Sequence, residues 1–208
     1  MDFLIVIIII SAGIYILGDF LKKPSLKYIF KPLTTILIIV LALSQQVNVE
    51  ETYKYLIVVA LLFSLAGDIF LMLPSDKFIQ GLASFLIAHV FYIMAFTSGF
   101  GPYLEWPYLI PAAIYAVLFL WILLPKTGKL KVPVLIYSLV LLVFLWQAIG
   151  RFFYLADNSS LYILIGSILF VASDSVLAYV RFVKSYKFSE AFILSTYWAA
   201  QVFLALSI

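Results

Sequence analysis

Residues 53–73 read YKYLIVVALLFSLAGDIFLML. Past Lys54 the run holds one charge, Asp68, and its length matches the roughly 20 apolar residues a helix needs to cross a bilayer. It reads as a membrane span with an acid inside it. Working outward, seven further apolar runs lie at 3–18, 28–44, 78–97, 106–124, 132–149, 161–180 and 188–207. Turn and charge signals part them: Lys22-Lys23-Pro24-Ser25, Pro74-Ser75-Asp76-Lys77, Gly99 to Pro102, Pro125 to Lys131, and Asp157-Asn158-Ser159-Ser160. The expected fold is all-α: one polytopic bundle of eight transmembrane helices over residues 1–208, with short loops and no second domain. Composition agrees. The chain is 66% hydrophobic and 11% charged, against about 25% charged in a soluble domain, so too little polar surface exists to coat a globule in water.

The basic residues alternate from loop to loop. Lys22, Lys23, Lys27, Lys31, Lys77, Lys126, Lys129, Lys131, Arg181, Lys184 and Lys187 fall in odd-numbered loops and their flanks, and Lys54 and Arg151 alone in even-numbered ones. The positive-inside rule then puts the odd loops in the cytoplasm and both termini outside. Tyr103, Trp106, Tyr108, Phe152, Phe153 and Tyr154 gather at the outer ends, as an aromatic belt does. The first apolar run precedes its lysines, which suits a retained helix rather than a cleaved signal. A weak repeat relates the two halves: Ala66-Gly67-Asp68 with Ala172-Ser173-Asp174, Lys77-Phe78 with Lys187-Phe188, and Lys31-Pro32 with Lys131-Val132-Pro133.

Several classes of chemistry are disfavoured. There is no cysteine and one histidine, His89, whereas zinc sites take three or four His, Cys or carboxylate ligands. No nucleophile elbow, Walker loop or dinucleotide fingerprint is present. Neither a metal nor a cofactor is expected. The net charge of +3 lies in the loops, a topology signal rather than a nucleic-acid signature.

Of ten acidic residues, Asp68 and Asp174 alone lie well inside apolar runs. An ionisable group there costs a few kcal/mol or more, so it faces the bundle interior and marks function. With five and six residues between them and their cytoplasmic span ends, both lie roughly 8 to 9 Å deep. Two acids at one depth can meet across a bundle and titrate as a pair, one protonated and one ionised, which supplies a general acid beside a general base. The alternative is two aspartates that only bond helices together. Small residues flank both: Ala60, Ser64 and Gly67 on one stripe, Gly166 and Ser167 on the other. They either enclose the acids or open a gap for substrate.

Other polar residues share these faces. His89 sits with Gly81, Phe85, Ala88 and Tyr92, either in proton transfer or as a neutral interhelical bond. Glu190, Leu194, Tyr197 and Gln201 share a face of the last span, and Tyr137 comes near the depth of Asp174. Tyr92, Tyr137, Tyr197 and Gln201 are candidates to line a polar cavity. Lys31, at the cytoplasmic start of the second span, is either a snorkelling anchor or a cation for a lipid phosphate.

These residues resemble the lysoplasmalogenase (YhhN-like) family of membrane proteins. The resemblance rests on Lys31-Pro32-Leu33-Thr34, on residues 64–72 (SLAGDIFLM), on Phe78, Gly81, Phe85, His89 and Tyr92, on residues 166–174 (GSILFVASD), and on Thr196-Tyr197 with Gln201. Gly166-Ser167 stands where the family often has Gly-Ala. The resemblance implies hydrolysis of the vinyl ether bond of a lysoplasmalogen, a lysophospholipid, to a fatty aldehyde and a glycerophospho-base. It puts the catalytic aspartates at Asp68 and Asp174; the expected location, apart from the resemblance, is a bacterial cell membrane. A vinyl ether hydrolyses by protonation of its β-carbon, so a positioned acid and a nearby negative charge are the required parts. A proton-coupled transporter or flippase with the acids between its halves is the competing expectation.

Overall fold

Lipid offers no hydrogen-bond partner to a peptide group, so each apolar run satisfies its own backbone by coiling. In the computed structural model, which describes residues 2–46 and 50–208, the runs form eight α-helices among the described residues: α1 (Asp2–Phe20), α2 (Pro24–Ser44), α3 (Glu51–Met72), α4 (Phe78–Thr97), α5 (Leu109–Leu123), α6 (Lys131–Leu155), α7 (Asn158–Phe182) and α8 (Ser189–Leu206). Short 3-10 turns flank α5 at Trp106–Tyr108, Leu124–Lys126 and Gly128–Leu130. The spans of α1 to α7 are long and apolar enough to cross a membrane. Helix α8 carries Glu190, Ser195, Thr196 and Gln201 along its length, and half of its residues are buried by its neighbours. The chain is a multi-pass membrane bundle.

Six helices close a ring, each packed on the next in the order α2, α3, α4, α6, α7, α8 and back to α2. Helix α1 leans on α2 outside the ring, and α5 leans loosely on α6 and α7. The closest pairs are α3 with α4 and α7 with α8. Glycine allows both approaches. A Cβ at Gly67 would stand 2.7 Å from the Phe85 ring, and one at Gly166 would stand 2.9 Å from the Ala200 carbonyl oxygen. The small residues beside the two acids therefore serve helix packing rather than open a gap.

Helix ends differ from expectation where capping outweighs hydropathy. Pro24 at the first turn starts α2 four residues earlier than residue 28, since proline is pre-shaped for that position. Lys31 is thus two turns inside a helix and only 6% exposed, not a snorkelling anchor. Asp157 caps α7 with its carboxylate on the Ser160 N–H at 2.7 Å, and α6 runs on to Leu155. Arg151 is consequently a buried helical residue, not part of a loop, and donates to the Phe96 carbonyl at 2.7 Å. Lys54 also lies in a helix, where it binds the carbonyls of Leu43 and Gln45 at 2.8 and 2.7 Å and so satisfies the end of α2. Tyr103, expected in an exposed belt, is buried, its backbone clasped by the Gln147 amide at 2.9 and 3.1 Å. Asp68 lies four residues before the end of α3 and Asp174 eight before the end of α7. Along their own helices these are roughly 6 and 12 Å, against the roughly 8 to 9 Å counted from the ends of the apolar runs.

Candidate active site

Asp68 comes from α3 and Asp174 from α7, non-neighbouring members of the ring. Both line one cavity of about 440 Å³ that also takes in Lys31, Lys77, Arg181, Glu190 and Tyr197. The two acids converge there with different companions.

Asp68 is enclosed by donors. Its Oδ2 accepts from the Thr35 hydroxyl at 2.7 Å and the Tyr197 hydroxyl at 2.9 Å, and its Oδ1 lies 3.9 Å from Lys31 Nζ. Lys31 and Thr35 reach it together because residues four apart share a helix face. The Trp198 indole N–H donates to Thr35 Oγ1 at 3.3 Å, leaving the threonine proton for Asp68. Trp198 in turn meets Tyr15 edge-on at 5.4 Å, and the Tyr15 hydroxyl donates to Glu190 at 2.8 Å.

Asp174 has fewer partners. Its Oδ2 accepts from the Tyr137 hydroxyl. His89 Nε2 stands 3.9 Å from the same oxygen and has no hydrogen-bond partner among the described residues. His89 Nδ1 lies 2.7 Å from the Phe85 carbonyl, which can only accept, so that nitrogen carries a proton and Nε2 is the atom turned toward Asp174. Phe144 and Phe170, at 4.8 and 4.6 Å between ring centres, wall His89 off from the cavity. Phe85, Phe170 and Tyr197 pack edge-to-face and floor the polar space between the two clusters.

Of the residues singled out from sequence, Asp68, Asp174, Lys31 and Tyr197 line the cavity. Tyr137 touches Asp174 from the far side, and His89 stands behind it. Tyr92 and Gln201 are wholly buried and do not reach the cavity. Both share a helix face with a site residue but lie a turn deeper. Glu190, which shares the Tyr197 face, lines the cavity too, and Thr35, Lys77 and Arg181 are site residues that the sequence did not mark. Thr35 is four residues from Lys31 and Arg181 seven from Asp174, spacings that put each pair on one face.

The mouth of the cavity is charged. Arg181 bonds Asp76 at 2.6 Å and its guanidinium stands 4.6 Å from the centre of the Phe78 ring. This hydrogen bond from Arg181, with one from the Phe78 N–H, holds the exposed Asp76 carboxyl below the usual range. A second cavity of about 390 Å³, lined by Lys22 and Lys27, shares Lys31 and Glu190 with the first and gives water a polar approach. Among the described residues no three His, Cys, Asp or Glu side chains gather in a metal-holding group.

The sequence pattern of the YhhN family matches residues 26–208. Lysoplasmalogenase TMEM86B of Rattus norvegicus is 33% identical over 156 residues, covering 75% of this chain and 62% of its own length. Lysoplasmalogenase TMEM86B of Homo sapiens is 34% identical over 155 residues, covering 74% of this chain and 64% of its own. The uncharacterized membrane protein YhhN of Escherichia coli O157:H7 is 24% identical over 182 residues, covering 88% of this chain and 86% of its own. The chain thus spans less than two thirds of the length of these lysoplasmalogenases. No solved structure matches it.

Proposed function

The chain belongs to the YhhN family, and from that premise we propose that it is a membrane-embedded hydrolase that cleaves the vinyl ether bond of lysoplasmalogens. The products are a fatty aldehyde and a glycerophospho-base. The observation that carries this reading is the shared cavity: two carboxyl groups from different helices open into one polar space inside an apolar bundle. The lysoplasmalogenase names of relatives at 33 and 34% identity supply the substrate class.

The two environments suggest separate roles. Asp68, met by two hydroxyls and an ammonium group, suits the carboxylate form. Asp174, with one hydroxyl and no cation beside it, suits the acid form. Asp174 hands its proton to the β-carbon of the vinyl ether, and the double-bond electrons make the new C–H bond. The α-carbon becomes an oxocarbenium ion, which the negative charge of Asp68 stabilises. Asp68 then takes a proton from a water as that water adds to the cation. The hemiacetal collapses to aldehyde and alcohol, its hydroxyl returning a proton to Asp174 as the ether oxygen takes one from Asp68, so both carboxyl groups end as they began. No net charge is gained or lost.

The remaining residues position these groups. His89 is sealed from substrate and acts through Asp174, its Nε2 facing the carboxyl. Tyr137 holds the same oxygen from the other side. Lys31, Lys77 and Arg181 receive the phosphate, and Glu190 the ammonium of the headgroup. With these cations on the cytoplasmic side, the enzyme sits in a bacterial cell membrane with both termini outward.

Purified protein in detergent, given a lysoplasmalogen, should release aldehyde. No compartment exists in that assay, so a transporter would release none.

A further inference from the structure

A second recess opens on the far side of Asp174. It is an apolar groove between α5 and the wall made by α4, α6 and α7, and it shares Leu71, Phe78, Phe85, Asp174 and Leu177 with the polar cavity. Its lining runs from Val171 to Phe182 on α7, roughly 16 Å along the axis. Most of its polar members are paired: Tyr137 donates to Asp174, Ser175 donates to the Val171 carbonyl at 2.5 Å, and Tyr115 therefore donates to Ser175, which leaves Ser138 as the other hydroxyl of the lining. What remains is aliphatic and aromatic surface.

The groove is narrow. It encloses about 50 Å³, against roughly 300 to 1,000 Å³ for ordinary ligand pockets. Its outer wall, though, is the least anchored helix of the bundle. Only Ala112 and Leu123 of α5 are buried, while Val117, Leu118 and Trp121 face outward at 59 to 78% exposure. The corresponding helix of the first half, α1, buries Ile8, Ser11, Tyr15 and Gly18. The side-chain bond from Tyr115 to Ser175 is what latches the middle of α5 to α7.

We propose that α5 is a lateral gate and that the groove behind it receives the hydrocarbon chain of an amphiphile whose polar end occupies the adjoining cavity. This rests on the hydrolase reading for the identity of the amphiphile. An occupant spanning both recesses has its chain-to-headgroup junction at Asp174, the one acid common to the two. In a lysoplasmalogen that junction is the vinyl ether. Entry from the side lets the chain stay in lipid throughout, and the swing of α5 supplies the volume that the narrow groove lacks.

The chain has no native cysteine, so a Tyr115→Cys, Ser175→Cys pair can be bridged across the latch with a reducible bis-thiosulfonate linker. In nanodiscs, the bridged protein should release aldehyde from a long-chain lysoplasmalogen at least about tenfold more slowly than the same protein after reduction. Equal rates before and after reduction overturn the gate. A second measurement needs neither variant nor turnover. A saturated alkyl-ether lysophospholipid with a terminal diazirine should photolabel groove residues such as Phe119 and Leu142 in the unmodified protein. Labelling confined to the outward residues of α5 overturns the chain site. Groove labelling without aldehyde release leaves the chain site standing and removes the hydrolase reading instead.

Discussion

The Tyr197 hydroxyl donates to Oδ2 of Asp68 at 2.9 Å, tying α8 to α3 across the ring. The bond ends on the oxygen that Thr35 also serves, at 2.7 Å. Two hydroxyls on one oxygen fix the carboxylate plane and leave Oδ1 for Lys31 and for water. Replacing Tyr197 by Phe keeps the ring that packs on Phe85 and Phe170 and removes only the donor. A buried acceptor that loses a partner costs about 1–3 kcal/mol, so kcat should fall about ten- to hundredfold with little change in KM. Steady-state kinetics on Tyr197→Phe checks this. A loss confined to KM would place Tyr197 in substrate binding instead.

If protonation occurs at carbon, the product records it. Hydrolysis run in deuterium oxide should yield aldehyde with one deuterium on the carbon next to the carbonyl, seen by mass spectrometry after rapid trapping. The rate should also drop in that solvent, because the proton is in flight in the slow step. Aldehyde free of deuterium would mean that the bond breaks by a route other than β-carbon protonation.

Arg151 is 1% exposed and is held by the Phe96 carbonyl and by the Tyr53 and Phe100 rings, whose centres lie 5.3 and 5.4 Å from its guanidinium carbon. It clamps α6 to α3 and α4. Arg151→Ala should lower unfolding stability by about 2–4 kcal/mol, measured by denaturation in detergent. Lysine should restore little of it, since an ammonium cannot stack and bond as the planar group does.

Asp157 makes a pH-dependent cap. Partial burial pushes its carboxyl up, but the Ser160 N–H and hydroxyl and the charge of Arg151 outweigh that and hold it below the usual range. A lowered folded-state pKa gives stability that is present above the ordinary carboxyl pKa and lost as pH falls through the lowered one. Asp157→Ala should cost about 1 kcal/mol at neutral pH, and the gap from the parent protein should close in acid. A gap constant with pH would show that the charge of Asp157 contributes nothing.

The bundle was legible because lipid enforces one simple rule, about 20 apolar residues per span, and breaks between spans carry their own turn residues. Asp68 and Asp174 stood out for the same reason: an ionisable group inside such a run is conspicuous. Their companions were not. Helical periodicity gives the direction of a side chain but not which neighbour it meets. Hence Tyr92 and Gln201, on the right faces, lie beyond the aromatic floor, while Thr35 and Arg181 passed as an ordinary threonine and an ordinary terminal arginine. Hydropathy leaves Lys31 as either an anchor or a cation for a phosphate; because its helix begins at Pro24, it lies inside the bundle beside Asp68. The groove behind α5 left no mark in the sequence, since a helix facing lipid and one lining a hydrocarbon slot have the same apolar composition.

The proposed chemistry depends on two carboxyl groups sharing a polar space, and aldehyde release by Asp68→Asn and Asp174→Asn tests it most directly. Asparagine keeps the shape of each side chain and one acceptor oxygen and removes the exchangeable acid. Each variant, folded as judged by its melting curve, should lose activity on lysoplasmalogen by about a hundredfold or more. Near-normal aldehyde release from either variant would contradict the account.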